Sequence, residues 1–229
     1  MPREGAHETR DRVIAAAVSC IHEVGLYRAT SNAIAQRAGV SWGVIQYHFG
    51  SRESLMLAVV ENGARRYAEM LSDVVLTAET TVGRVEQCFA FLADYHGSTG
   101  HLAVAQVMID LARDPNTSAE GRKRLTSLGE LGVAEKDHLG RQILQGNSAR
   151  MQELRDLVFF AIQGVGIGYI LSPGFASSTE IDAAQYRRRS RLIARAVALL
   201  IDEEQSQRAA AASHRSGGRR TATAAAGPG

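Results

Sequence analysis

Residues 30–52, which read TSNAIAQRAGVSWGVIQYHFGSR, predict two short helices joined by a tight turn. Thr30 and Ser41 precede the two helices, where a hydroxyl can accept a hydrogen bond from a backbone N–H that the first turn leaves unpaired. Gly39 lies between the helices and can take the positive φ angle that ends a helix abruptly. Ile45 faces inward, so the second helix presents its other side to solvent. A helix-turn-helix of this kind places side chains in the major groove of DNA.

The outward side of the second helix carries large, mostly uncharged residues where a solvated helix would carry Lys and Glu. Gln46 can pair with both hydrogen-bonding atoms of an adenine edge, and Val44 or Trp42 can contact a thymine methyl group. Gly43 permits a close approach of the backbone to the duplex. The alternative is that Trp42 and Tyr47 pack between helices. Base contact is favoured for Trp42 and Gln46, which lie one turn apart opposite the core, while both interpretations of Tyr47 stay open.

The rest of the chain predicts an all-α protein. Its 229 residues include only four prolines, and the alternating apolar pattern of strands is scarce. A first helix is predicted from about residue 9 to 24, after a flexible arm. Residues 149–171 are apolar on nearly every helical face, which indicates burial on more than one side. We find no signal peptide and no run of about 18 apolar residues, so no membrane partner is expected.

The predicted helix-turn-helix and its flanking residues resemble the TetR family of bacterial transcriptional regulators. The sequence pattern of that family is matched over about residues 8–60. The matching residues are Thr30, Ile34, Ala35, Ala38, Gly39, Val40, Ser41, Gly43, His48, Phe49 and Arg52. The family often carries Tyr where this chain has Gln46. Because that position faces the groove, the departure bears on which operator sequence is read.

The resemblance implies contacts to the DNA backbone from polar residues around the second helix. These residues are Thr30, Ser31, Tyr47, His48 and Arg52. Hydroxyls, helix N-termini and Arg are common phosphate ligands, which agrees with this assignment. Asn32 matches a family position that can reach a base edge, and Ser41 joins the DNA-binding set at the start of the second helix. For His48, a structural cap on its own helix is an equal alternative.

The resemblance also implies two domains. Residues 1–52 are predicted to form the DNA-binding domain, with its second helix at about 31–38 and the recognition helix at about 42–49. Residues 53–204 are predicted to form a helical domain for ligand binding and dimerisation. Residues 205–229 contain almost no large apolar side chain and are predicted to be a disordered tail.

An effector site in the second domain follows from the same resemblance. The candidate ligand-binding residues are Phe89, Leu92, Tyr95, Gln106, Met108, Asp110, His138, Gln142, Phe159 and Gln163. This mixture suits a pocket for a small, largely apolar molecule, although each residue alone also fits an ordinary core or a solvated helix face. His96 and His101 flank two glycines, but no Cys or Glu completes a metal site, so neither a metal nor a cofactor is expected.

We therefore expect a cytoplasmic, nucleoid-associated repressor that binds a palindromic double-stranded operator as a homodimer and is released by a small-molecule effector. The candidate dimer-interface residues are Phe160, Ile167, Leu192, Ala196 and Leu200. An alternative keeps the DNA-binding dimer but has no effector. An all-α enzyme is disfavoured because the sequence shows no paired acid–base or metal-binding constellation.

Overall fold

The structure, a computed structural model, describes residues 2–96, 98–144, 149–175, 188–189 and 191–207. All regular structure in this part of the chain is helical, which confirms the predicted fold class. The helices are α1 (Pro2–Val24), α2 (Ser31–Ala38), α3 (Trp42–Phe49), α4 (Arg52–Ser72), α5 (Thr81–His96), α6 (Thr99–Arg113), α7 (Ala119–Ile143) and α8 (Ala149–Phe175). Residues 191–207 form a further helical segment. Within the described ranges, no helix is long and apolar enough to cross a membrane.

The first hydrophobic core joins α1, α2 and α3 to the first half of α4 and to α6. Ile21, Ile34, Ile45 and Leu55 are at most 1% exposed in this core, and Val107 of α6 is also buried there. The core of the helix-turn-helix therefore extends beyond the domain boundary predicted at residue 52. Because α6 closes this core, a movement of α6 would act directly on the packing of the first three helices.

The second hydrophobic core lies at the other end of α4. It gathers Leu71 of α4 with residues of α5, α7, α8 and the segment 191–207, including Leu92, Leu139, Val158 and Ile201. Helix α4 is thus continuous through both cores and connects them physically.

Helix α4 also approaches α6 closely, and Gly63 makes this approach possible. A Cβ atom at Gly63 would lie 2.7 Å from one methyl carbon of Val104. Such a separation is below van der Waals contact, so a larger residue would push the two helices apart.

Two predicted boundaries differ from the structure. Helix α1 begins at Pro2, not near residue 9, because proline is compatible with the first helical position, where its missing N–H would be unpaired anyway. The last helical segment continues to residue 207, three residues past the predicted end of the second domain at residue 204. The remaining tail residues, 208–229, lie outside the described residues.

Candidate nucleic-acid interface

The turn between α2 and α3 has the backbone geometry that the sequence predicts. The N–H of Ala33 donates to the Thr30 hydroxyl at 3.2 Å, and the N–H of Val44 donates to the Ser41 hydroxyl at 3.4 Å. Gly39 has a φ angle of 65°, in the left-handed region that favours glycine. Local capping and one glycine therefore fix the angle at which α3 leaves the body of the protein.

The outer side of α3 is open to solvent. Tyr47 is 85% exposed and Trp42 is 41% exposed, and Gln46 and Gly43 are exposed too. Only Val44 of this set is half-buried. A tyrosine with 85% of its surface in water does not pack between helices in this structure. This geometry favours the interpretation of Tyr47 as a residue available to a partner.

The polar residues expected around α3 also lie at the surface. Thr30 and Asn32 are exposed, and Ser31 and His48 are half-buried. The backbone carbonyl of His48 accepts a hydrogen bond from Arg10 Nη1 at 3.2 Å. The Arg10 side chain of α1 therefore holds the C-terminus of α3 through the His48 backbone carbonyl, and the His48 side chain is not required for that contact.

Arg52 makes contacts within the protein that the sequence did not predict. Its Nη1 donates to the Ala29 carbonyl at 2.6 Å, and its Nη2 donates to the Leu26 carbonyl at 3.0 Å. The guanidinium thus holds the loop that leads into Thr30 and α2. Two of its donor groups are used in this way, and the phosphate contact expected of Arg52 stays a prediction.

The next residue, Glu53, joins the start of α4 to the start of α7. Its carboxylate accepts hydrogen bonds from the Ser118 hydroxyl at 2.6 Å and from the Ser118 N–H at 3.2 Å. One turn of α4 therefore carries an arginine that holds the α1–α2 loop and a glutamate that holds α7. Further along, Arg124 of α7 and Glu61 of α4 form an ion pair of 2.6 Å.

The ten candidate ligand-binding residues do not converge on one site. Phe89 and Leu92 are buried in the second core, while Gln106 and Met108 face solvent because Ala103, Val107 and Leu111 take the inner side of α6. The remaining residues are Tyr95, Asp110, His138, Gln142, Phe159 and Gln163. Sequence spacing identified helix faces here, but the inward direction of each face depends on contacts between distant segments.

Two of those remaining residues, His138 and Gln142, have specific neighbours. The Gln142 side chain accepts from the Leu76 N–H at 2.8 Å, donates to the Val74 carbonyl at 2.9 Å and lies 3.1 Å from His138 Nε2. Asp110 is half-buried near the end of α6. The Gln142 amide therefore stabilises the loop after α4, and its oxygen and nitrogen already have hydrogen-bond partners within the protein.

An open cavity of about 590 Å³ lies between α7 and α8 and includes Phe159 and Gln163 in its lining. Part of its polar lining is already engaged: Asp137 pairs with Arg141 and lies 3.9 Å from Arg155, and Gln152 donates to Asp156 at 3.2 Å. The volume is in the range of small-molecule sites.

A cluster of four rings lies where α4, α5 and α6 meet. Ring centroids are separated by 4.7 Å for Tyr67 and Tyr95, 4.8 Å for Tyr95 and His101, and 4.7 Å for His96 and His101. His96 is only 5% exposed. The sequence does not reveal this cluster, because Tyr67 is almost thirty residues from His96 and the two histidines by themselves suggest only a metal site. Among the described residues, no three His, Cys, Asp or Glu side chains could hold a metal.

Burial keeps the four rings uncharged. It lowers the pKa of His96 to about 4, with a smaller contribution from His101, and it also lowers the pKa of His101 to about 4. Burial raises the pKa of Tyr95 to about 12 and raises the pKa of Tyr67 further. The cluster is therefore a neutral, hydrogen-bonding environment at neutral pH.

We predict that acid destabilises the protein through this histidine pair. An unfolded histidine binds a proton below about pH 6.5, whereas the folded pair resists protonation until about pH 4. The free energy of unfolding should therefore fall as the pH drops from 6.5 to 4, by at most about 1.4 kcal/mol per pH unit for each histidine. Urea unfolding across this range measures the slope. The His96→Gln variant should give a flatter slope, and an equal slope would contradict the assignment.

The five candidate interface residues are all exposed on α8 and the segment 191–207. Phe160 is 71% exposed, Leu192 61%, Ile167 56% and Leu200 53%, and Ala196 is also exposed. Large apolar side chains exposed together on two helices form a hydrophobic surface patch, and such patches are typical of interaction sites.

Comparison with known proteins gives a match for the N-terminal region. Residues 13–59 match the family described as bacterial regulatory proteins of the tetR family. The chain is 40% identical over 76 residues to the HTH-type transcriptional regulator BetI 2 of Chromohalobacter salexigens, and 39% identical over 77 residues to BetI of Escherichia coli. Each alignment covers 33% of this chain, and 35% and 37% of the respective relatives. The chain therefore aligns with just over a third of the length of these curated relatives.

Solved structures match over a larger part of the chain. The transcriptional regulator FadR of Bacillus subtilis, solved in complex with stearoyl-CoA, superimposes with a TM-score of 0.59 at 17% sequence identity. The match covers 82% of this chain and 96% of FadR. A transcriptional regulator of Rhodococcus sp. Rha1 gives a TM-score of 0.59 at 19% identity, covering 82% of this chain and 95% of the other. At these identities the likeness extends to the fold alone.

Proposed function

We propose that this chain is a DNA-binding transcriptional regulator of the TetR family and that it acts as a ligand-responsive repressor. The match of residues 13–59 to the tetR family of bacterial regulatory proteins supports this proposal. A homodimer binds a palindromic operator, and a small-molecule effector releases it. The observation that carries the proposal is the exposed side of α3, where Trp42, Gln46 and Tyr47 face solvent beside a capped and glycine-fixed turn. Large side chains held on a rigid surface helix are suited to reading base edges in the major groove.

Dimerisation is supported by the exposed apolar side chains of α8 and the segment 191–207. A second copy of the same surface would cover Phe160, Ile167, Leu192 and Leu200, as expected for a two-fold symmetric interface. Two copies would carry two α3 helices, which can occupy successive major grooves about 34 Å apart.

Effector response is supported by the way that α4 is held. Arg52 and Glu53 are adjacent at the start of α4, and they bind the α1–α2 loop and α7, respectively. A ligand that displaces α4 or α7 would therefore change the position of Thr30 and α2. The effector must bind the two conformations with different affinities for this shift to occur. FadR of Bacillus subtilis, which shares the fold, was solved with stearoyl-CoA.

The constitutive alternative has the same DNA-binding dimer without an effector. A thermal-shift screen of the full chain against a metabolite panel separates the two functions, because a ligand that binds the folded state raises the melting temperature. A hit that also weakens operator binding supports the repressor. If hits raise the melting temperature but leave operator affinity unchanged, the constitutive function is the better account.

We predict that Gln46→Ala relaxes base preference at one operator position. The lost pair of hydrogen bonds should reduce discrimination there by about 1–3 kcal/mol, while nonspecific binding hardly changes. Selection of binding sites from random duplexes, repeated for the variant, measures the preference at each position. Gln106→Ala is the matched control, because Gln106 is an exposed glutamine on α6. An unchanged preference for the Gln46 variant would remove this residue from base readout.

A further inference from the structure

The ring cluster of Tyr67, Tyr95, His96 and His101 contains a buried polar atom without a hydrogen-bond partner. Among the described residues, nothing forms a hydrogen bond with His96 Nδ1, although His96 is only 5% exposed to solvent. Leaving a buried polar atom unpaired costs roughly 1–3 kcal/mol. An unpaired atom of this kind in a folded protein calls for an explanation, such as a ligand that completes it.

The other three rings of the cluster are only partly buried. Tyr67, Tyr95 and His101 are half-buried, so these rings keep some contact with solvent while His96 keeps almost none. His101 is fixed in the first turn of α6, where its backbone N–H donates to the Ser98 hydroxyl at 3.2 Å. The position of His101 is therefore set by a helix cap.

We propose that this cluster is the polar anchor of the effector site, and that it takes an uncharged aromatic molecule bearing a hydroxyl group. This inference rests on the proposed effector response and specifies the chemistry of its ligand. The rings of the cluster already pack against one another, with centroids 4.7–4.8 Å apart. A flat aromatic ligand that joins them would pack through contacts of the same kind.

The hydroxyl group follows from the chemistry of neutral imidazole. A neutral histidine has one nitrogen that donates and one that accepts a hydrogen bond. A hydroxyl both donates and accepts, so it pairs with Nδ1 in either tautomer. A carboxylate only accepts and brings a charge, and none of the four rings carries a compensating charge at neutral pH.

The cluster also has a direct route to the DNA-binding helices. Tyr67 belongs to α4, whose first turn carries Arg52 and Glu53. A ligand that inserts against Tyr67 acts on the helix that holds the α1–α2 loop. The cavity between α7 and α8 is a weaker candidate, because Asp137, Gln152 and Asp156 of its lining already make contacts within the protein.

The test compares three probes with one aromatic body: phenol, toluene and benzoate. Full-length protein with ¹⁵N-labelled histidine is titrated with each probe, and the side-chain nitrogen resonances of His96 are followed. We expect phenol to shift the His96 resonances and to bind at least tenfold more tightly than toluene or benzoate. Benzoate binding as tightly as phenol, or His96 resonances that stay unmoved at saturating phenol, would overturn the proposal.

A variant provides the second readout. His96→Phe keeps a ring of similar size without the nitrogen, so it should lower phenol affinity at least tenfold and leave toluene affinity within about twofold. His22→Phe is the matched control, because His22 is an exposed histidine of α1. Unchanged phenol affinity in a folded His96→Phe protein would also overturn the proposal. If that variant does not fold, the three probes on the wild type decide alone.

Failure of this anchor is distinguishable from failure of the proposed function. A protein without the anchor still selects a specific DNA sequence in the absence of ligand. If the protein selects no DNA sequence, the proposed repressor function is contradicted, whatever the affinity for phenol.

Discussion

Phe160→Glu is expected to convert the protein to a monomer and to reduce operator affinity by at least a hundredfold. Phe160 is 71% exposed on α8, so the isolated chain tolerates a charge there. In a dimer the carboxylate would be buried against an apolar surface without a counter-charge, which costs several kcal/mol. A monomer presents one recognition helix and loses the second half-site. Light scattering gives the mass, and fluorescence anisotropy with labelled operator gives the affinity.

Two further variants make this prediction sharp. Ile167→Glu, on the same helix and 56% exposed, should have the same effect. Val75→Glu is the control, because Val75 is 75% exposed and belongs to the loop after α4, not to α8 or the segment 191–207. Circular dichroism checks that all three variants remain helical. Dimers formed by both α8 variants would show that this surface is not the interface.

Arg52→Ala is expected to destabilise the helix-turn-helix. The variant loses two hydrogen bonds from a charged donor to the carbonyls of Leu26 and Ala29. Bonds of this type contribute about 1.5–3 kcal/mol each, although the two are not independent, so we expect a loss of about 2–4 kcal/mol. Arg52→Lys should recover only part of it, because an ammonium does not reproduce the two-pronged geometry. Denaturant unfolding measures the change.

The same variant separates a loop-holding role from a phosphate-binding role. Arg66→Ala, which removes an exposed arginine of the same helix, should leave stability within about 0.5 kcal/mol. If Arg52→Ala instead leaves stability unchanged and flattens the salt dependence of DNA binding by about one unit, phosphate contact is its role.

The sequence predicted the helix-turn-helix well because its determinants are local. Thr30, Ser41 and Gly39 act within three or four residues of their own positions, so their roles as caps and turn follow from chemistry alone. The exposure of Gln46 and the burial of Ile45 follow from helical periodicity in the same way. Residues 13–59 are also the part that matches a known family.

The contacts between distant segments could not be predicted from the sequence. Arg52 binds carbonyls 23 and 26 residues away, whereas the family resemblance pointed only to a phosphate contact for this residue. Helix α6 closes the first core through Val107, a partnership that periodicity does not indicate. The ring cluster joins Tyr67 to His96 and His101 only after α4, α5 and α6 have packed. The dispersed ligand candidates failed to converge for the same reason.

The most direct test of the proposed repressor function measures how many chains bind the selected DNA and how far apart the protected grooves lie. The full chain selects duplexes from a random library, and sedimentation and hydroxyl-radical footprinting then give the mass and the protected positions. The account predicts a palindromic sequence bound by two chains, with two protected major grooves centred about 34 Å apart on one face. Enrichment of no sequence, or a single chain protecting one groove at full affinity, would contradict it.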